Sequence, residues 1–199
     1  RELREAIASL PRILVRNKVN EGHLVSFVPK GWIYSHMLII FSFEVSYYFA
    51  LLQSSTHEEW LRRGAPTMRT IILYKPADCF DNFPFSHELT KDLKNTAERM
   101  AAECYKYRQQ IMLSRELWLI KKYNFYNNPE CLDSDIICLC ELHVEMDRSI
   151  FACYGWVYFN LAHRFYENER DHIRFSLSLQ TERELIRRLL ELYKKSALG

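Results

Sequence analysis

Trp32-Ile33-Tyr34-Ser35-His36-Met37-Leu38-Ile39-Ile40-Phe41-Ser42-Phe43-Glu44-Val45-Ser46-Tyr47-Tyr48-Phe49-Ala50-Leu51-Leu52 is the most apolar stretch of the chain. How it is read decides the fold. Its 21 residues meet the length that a membrane-spanning helix needs. It also carries Glu44, His36 and three serines, and Lys30 is the only basic residue close to either end. A carboxylate near the bilayer centre costs about 2.5 kcal/mol or more on insertion scales. The stretch therefore reads as a buried core helix, with Glu44, Ser46 and His36 sharing a hydrogen-bonded or partner-facing strip, and not as a membrane span.

Working outward, residues 2–9 read as a short helix ended by Pro11, and Leu24 to Val28 as a short extended run closed by Pro29 and Gly31. Residues 53–85 are the least regular, punctuated by Gly64, Pro66, Pro76 and Pro84. Within them, Thr70 to Tyr74 reads as a short strand or an extended segment, and the phenylalanines at 80, 83 and 85 pin a loop to the core. Ser86 is a plausible N-cap for a long helix over 87–122, whose stripe of Leu89, Leu93, Ala97, Met100, Cys104, Tyr107 and Ile111 steps by four and three. Asp133 or Ser134 caps a second long helix over 135–166, apolar over a wide arc. A polar segment, 167–180, leads to a capping box, Thr181 with Glu184, and a final helix over 182–196 with Leu185, Ile186, Leu189, Leu190 and Tyr193 on one face. The architecture these elements predict is all-α: a four-to-six-helix bundle, 1–199 as a single helical domain, with an irregular loop region around 53–85. The helix-like start at Arg1 suggests a piece of a longer polypeptide.

The chain has 199 residues, 48% hydrophobic, with 27 basic side chains against 25 acidic ones. Near-balanced charge with abundant aromatics excludes global disorder. Five glycines and six prolines exclude collagen-like and low-complexity architectures. The basic pairs at 62–63, 121–122, 187–188 and 194–195 each lie beside apolar residues at helical spacing and read as solvated faces. No nucleic acid and no membrane are expected as partners. The six cysteines, at 79, 104, 131, 138, 140 and 153, follow no disulfide framework, which points to a reducing, cytoplasmic setting.

Cys131, Cys138, Cys140 and His143 fall close together, but two cysteines two apart on a helix point about 200° apart, so no zinc site is expected. His143-Val144-Glu145 lacks the Pro-Cys-x-x-Cys of zinc deaminases. No glycine-rich phosphate cradle is present, and no cofactor is expected. Glu141, Glu145 and Asp147 read as a solvated strip. A nucleophilic pair such as Cys153 with His163, or a buried carboxylate site, is the enzymatic alternative.

Interaction features carry the functional reading. Tyr154, Trp156, Tyr158 and Phe159 crowd one short stretch and offer a candidate aromatic surface. His172-Ile173-Arg174-Phe175 approximates the basic-aliphatic-x-aromatic peptide that docks on the protein phosphatase 1 catalytic subunit, adding a strand and seating two apolar anchors. Ile173 and Phe175 would be those anchors, with His172 and Arg174 as charge complements. The segment from Asp147 through Tyr154 and on to Phe159 resembles the central helix of the protein phosphatase 1 regulatory subunit 36 family. Val45 to Phe49, Ala97 to Ile111 and Glu182 to Leu190 are similar in character and order. The resemblance implies a helical, phosphatase-associated scaffold of cilia or the axoneme, with axonemal proteins or the phosphatase catalytic subunit as partners. The sequence reading is thus a non-catalytic interaction or regulatory subunit of a larger assembly.

Overall fold

The computed structural model of the protein describes residues 2–20, 23–65, 67–68, 71–86, 89–167 and 173–198. After a short helix, α1 (Glu2–Ala6), come the strands β1 (Arg12–Asn17), β2 (Val19–Asn20), β3 (Val25–Pro29) and β4 (Leu38–Phe41). Helices α2 (Ser46–Gln53) and α3 (Ser55–Gly64) follow, then β5 (Thr67–Met68), β6 (Ile71–Leu73) and α4 (Pro76–Cys79). The second half holds α5 (Lys91–Ser114), α6 (Leu119–Tyr126), α7 (Ser134–Cys153), β7 (Arg164–Glu167), β8 (Ile173–Ser176) and α8 (Leu179–Leu198). The strands form three small antiparallel sheets, β3-β1-β4, β2-β6-β5 and β7-β8. At 53% helix and 15% strand the fold is mixed α/β, which corrects the all-α bundle expected from the sequence.

The correction begins in the opening stretch. Residues 32–52 are not one helix: Leu38–Phe41 is an edge strand on β1, and the helix starts only at Ser46. A short apolar run rich in isoleucine satisfies strand and helix alike, and only its neighbour decides. That neighbour is β1, whose Ile13, Leu14, Val15 and Arg16 are all buried because both faces of the sheet are covered. Ile13 and Val15 meet Ile7 in a small outer core, while Leu14 joins the main core, as the two-residue period of a strand requires. Arg12 holds the strand-to-helix junction, its Nε donating to the Glu44 carbonyl at 2.9 Å and its Nη2 to Ser46 Oγ at 3.2 Å.

The long helices are shorter than their apolar stripes suggested. Thr90, not Ser86, caps α5, its hydroxyl accepting from the Leu93 amide. Ser86 instead donates to the Cys153 carbonyl. The α5 stripe Ala97, Ala101, Cys104, Arg108, Ile111 is buried against α7 and α2. The helix ends where Glu116 turns to φ 52° and Arg115 is drawn onto Asp133 and Asp135 at the start of α7. Likewise α7 stops at Cys153, before Gly155 at φ 72°, so the remainder of 135–166 is coil and strand. The final helix begins at Leu179. Ser178 Oγ accepts from the Thr181 amide at 3.2 Å, and Glu184 pairs with Arg187 and Arg188, so the Thr181–Glu184 box is not formed. The region expected to be irregular holds α3, β5, β6 and α4, and Phe83 is buried with Phe80 and Phe85 packed around it. Among the described residues no helix is long and apolar enough to cross a membrane.

Candidate functional site

A groove of about 1080 Å3 runs between the β7–β8 hairpin, α3, α6 and α8. At its wall, α3 begins directly after α2. Ser54, the residue between them, supplies no side-chain cap; its hydroxyl donates to the Leu51 carbonyl at 2.7 Å. The cap comes from α7. Asp147 Oδ1 accepts the Ser55 amide at 2.9 Å, and Oδ2 accepts the Ser55 hydroxyl. A carboxylate at a helix start satisfies an orphan amide and complements the helix dipole. His163 Nε2 lies 3.0 Å from Asp147 Oδ2, and the two side chains are only 5% exposed.

Serine, aspartate and histidine in contact invite comparison with a hydrolytic triad, and the geometry differs from one. A triad histidine shows one ring nitrogen to serine and the other to aspartate. Here Nε2 of His163 faces Asp147 at 3.0 Å and Ser55 Oγ at 3.5 Å, while Nδ1 is buried with no partner among the described residues. With Nε2 donating to the carboxylate, that nitrogen cannot take the serine proton. The cluster is a clamp joining α3, α7 and the segment before β7.

Charge along the groove is mixed. Glu58 pairs with Arg62 one turn on. Burial, then the nearby Glu182 and Glu58 carboxylates, push the Glu59 carboxyl up to about 8. His23 and His57, buried behind the groove, are held well below the usual histidine range, by burial first and then by Arg16 for His23 and by His23 for His57. His23 Nε2 contacts the Leu52 carbonyl and Nδ1 meets Arg16 Nη1 at 2.7 Å, so the neutral ring donates on one side and accepts on the other. Desolvation lowers the Arg16 guanidinium to about 10.

Of the residues singled out from the sequence, His172 lies outside the described residues. Ile173 is 46% exposed on β8. Arg174 lines the groove. Phe175 is half-buried, stacked on His163 and edge-on to Tyr126, and its amide donates to Asn127 Oδ1 at 3.2 Å. With Phe165, Ile136 and Cys140 it also walls an apolar pocket of about 310 Å3 on the far side of the hairpin. The proposed aromatic surface divides. Tyr154 is buried with its hydroxyl on the Pro84 carbonyl, Trp156 stacks on it, and Tyr158 stands fully exposed. Cys153 is directed to the Leu93 carbonyl and burial raises its thiol to about 11, while His163 engages Asp147. Among the described residues no three His, Cys, Asp or Glu side chains converge to hold a metal. Asp147, expected on a solvated strip, is buried, and Ser55, Glu59 and Asn127 were not anticipated at all.

No family model and no curated protein matches the chain. Among solved structures, the chain is similar to part of the Type IIL restriction-modification enzyme MmeI, determined in complex with DNA. The TM-score is 0.68 at 16% identity, over 94% of this chain and 22% of that one. The likeness is one of fold. This chain thus spans about a fifth of the length of the protein it is similar to.

Proposed function

We propose that the protein is a non-catalytic, DNA-contacting module of a larger assembly of the restriction–modification kind. The observation that carries this reading is the fold shared across nearly the whole chain with part of an enzyme held on DNA. The groove supports it chemically. Asn124 and Asn128 offer exposed amides suited to base edges, and Arg63 and Arg183 offer exposed guanidiniums suited to phosphate or guanine. The reading reverses the expectation of no nucleic acid. That expectation rested on whole-chain charge, which averages over faces. From Ala6 to Phe43 the cations that reach the surface are Arg12, Lys18 and Lys30, Arg16 being buried, and the sequence there holds a single acid, Glu21.

Fluorescence anisotropy of a labelled duplex, titrated with the 199-residue chain at about 50 mM and about 200 mM salt, tests it. Binding that weakens with salt, with a slope of only a few because few cations reach the surface, is expected. A folded chain that leaves the anisotropy unchanged at the lower salt overturns the reading.

Docking on protein phosphatase 1 through 172–175, with the ciliary or axonemal setting that the phosphatase resemblance implies, is the second reading. The exposure of Ile173 favours it. Phe175, however, is paired with Phe165 across the hairpin and stacked on His163, so it would have to leave its packing to enter a pocket on the phosphatase.

A further inference from the structure

β3 and β4 flank β1 and both run antiparallel to it, so the eight residues 30–37 are not a hairpin turn. They cross from the Arg12 end of the sheet, where Pro29 pairs, back to the Asn17 end, where Leu38 pairs. Gly31, at φ 91°, makes the turn into this crossover, and a side chain there would be strained. Tyr34 pins its middle. The ring packs on the outer core of Ile7, Ile13 and Val15, and the hydroxyl donates to the Pro29 carbonyl at 3.1 Å. The Met37 carbonyl accepts from the Lys18 amide at 2.7 Å and closes the far end. Pinned in this way, the crossover turns Trp32 and Ile33 outward: Trp32 is 61% exposed and Ile33 completely so. Two large apolar side chains held on the outside of a fixed segment are solvated at a cost that folding does not recover.

Resting on the DNA reading above, we infer that crossover 30–37 is an apolar wedge for duplex DNA, with Trp32 stacking on a base and Ile33 entering a base step. The chemistry matches in two respects. Wedge residues that unstack a step are large and apolar, and aromatic rings stack on bases of any sequence. The chain also offers cations to phosphate on either side of the crossover, Lys18 before it and Lys30 at its start with Nζ 3.4 Å from the Ala8 carbonyl, and no acid occurs in sequence between Gly22 and Phe43.

The test compares the 199-residue chain with Trp32→Ala/Ile33→Ala, and with Trp118→Ala as a control at another exposed tryptophan. The probe is a duplex carrying 2-aminopurine, read by anisotropy and by 2-aminopurine fluorescence. The wild-type chain is expected to bind and to brighten the probe as a base step opens. The double variant should bind about tenfold or more weakly, with the brightening gone and the salt slope unchanged, because no phosphate contact is lost. The control should match wild type. The removed side chains are exposed, so the double variant should keep its fold, checked by circular dichroism. Equal binding and brightening by the double variant would sink the wedge and leave the DNA reading standing. No binding by the wild type ends both. Co-flotation of the wild type, but not the double variant, with phosphatidylserine-containing vesicles, in place of DNA binding, would assign the crossover to a membrane surface and overturn the wedge.

Discussion

Replacing Asp147 with alanine is expected to destabilise the fold by about 4 kcal/mol, because a buried carboxylate that accepts three hydrogen bonds is removed. The carboxylate accepts from the Ser55 amide, the Ser55 hydroxyl and His163 Nε2, and all three partners stay behind. His163, whose Nδ1 already lacks a partner among the described residues, would then be left with only the 3.5 Å contact of Nε2 with Ser55 Oγ. Each orphaned buried donor costs about 1–3 kcal/mol. The uncapped start of α3 adds about 0.5–1 kcal/mol. These penalties overlap because the groups share one acceptor, so their sum is an upper bound. Asp147→Asn keeps an oxygen for Ser55 and loses the charge, so about 2 kcal/mol is expected. Urea unfolding followed by circular dichroism reads both changes as shifts in midpoint at constant slope. A loss below about 1 kcal/mol for the alanine variant would refute the clamp.

Two further perturbations test the groove and the core. Glu59 is held protonated in the fold, with its carboxyl at about 8 against an ordinary 4.5. The folded state therefore binds the extra proton between those values, and stability should fall as pH rises from 4.5 to 8. Discounted for its partial exposure, the loss is about 1–2 kcal/mol, and Glu59→Gln should remove it. A wild-type stability profile that stays flat over that window while the glutamine variant gains nothing at its upper end would count against the burial argument. Leu139→Ala deletes a fully buried side chain from α7 and should cost about 2–5 kcal/mol in the same urea assay.

The helices α5, α7 and α8 were legible because their stripes repeat over many turns. Ala97, Cys104 and Ile111 in the first and Leu185 and Leu189 in the last are buried as the period requires. Where those helices stop was not legible. Glu116 adopts a left-handed φ without being glycine, and Arg115 leaves the helix axis for two aspartates at the start of α7, beyond the intervening α6. β1 was hidden for another reason: with both faces covered, Ile13, Leu14 and Val15 show no alternation of apolar and polar residues. The clamp was hidden by distance, since Ser55 lies 92 residues from Asp147 and no spacing rule connects them.

What the sequence determined by itself is the set of helices whose apolar stripes must be buried, together with the extended run before Pro29. Those follow from local periodicity and turn chemistry, which act over a few residues. Only the tertiary structure decided that Leu38 to Phe41 is a strand, that Asp147 is buried, and that Trp32 and Ile33 are left outside. In each case the deciding partner is remote: β1 for the strand, the start of α3 for the carboxylate, and the outer core under Tyr34 for the crossover. An isoleucine or an aspartate is indifferent to its conformation until such a partner removes it from water or leaves it there.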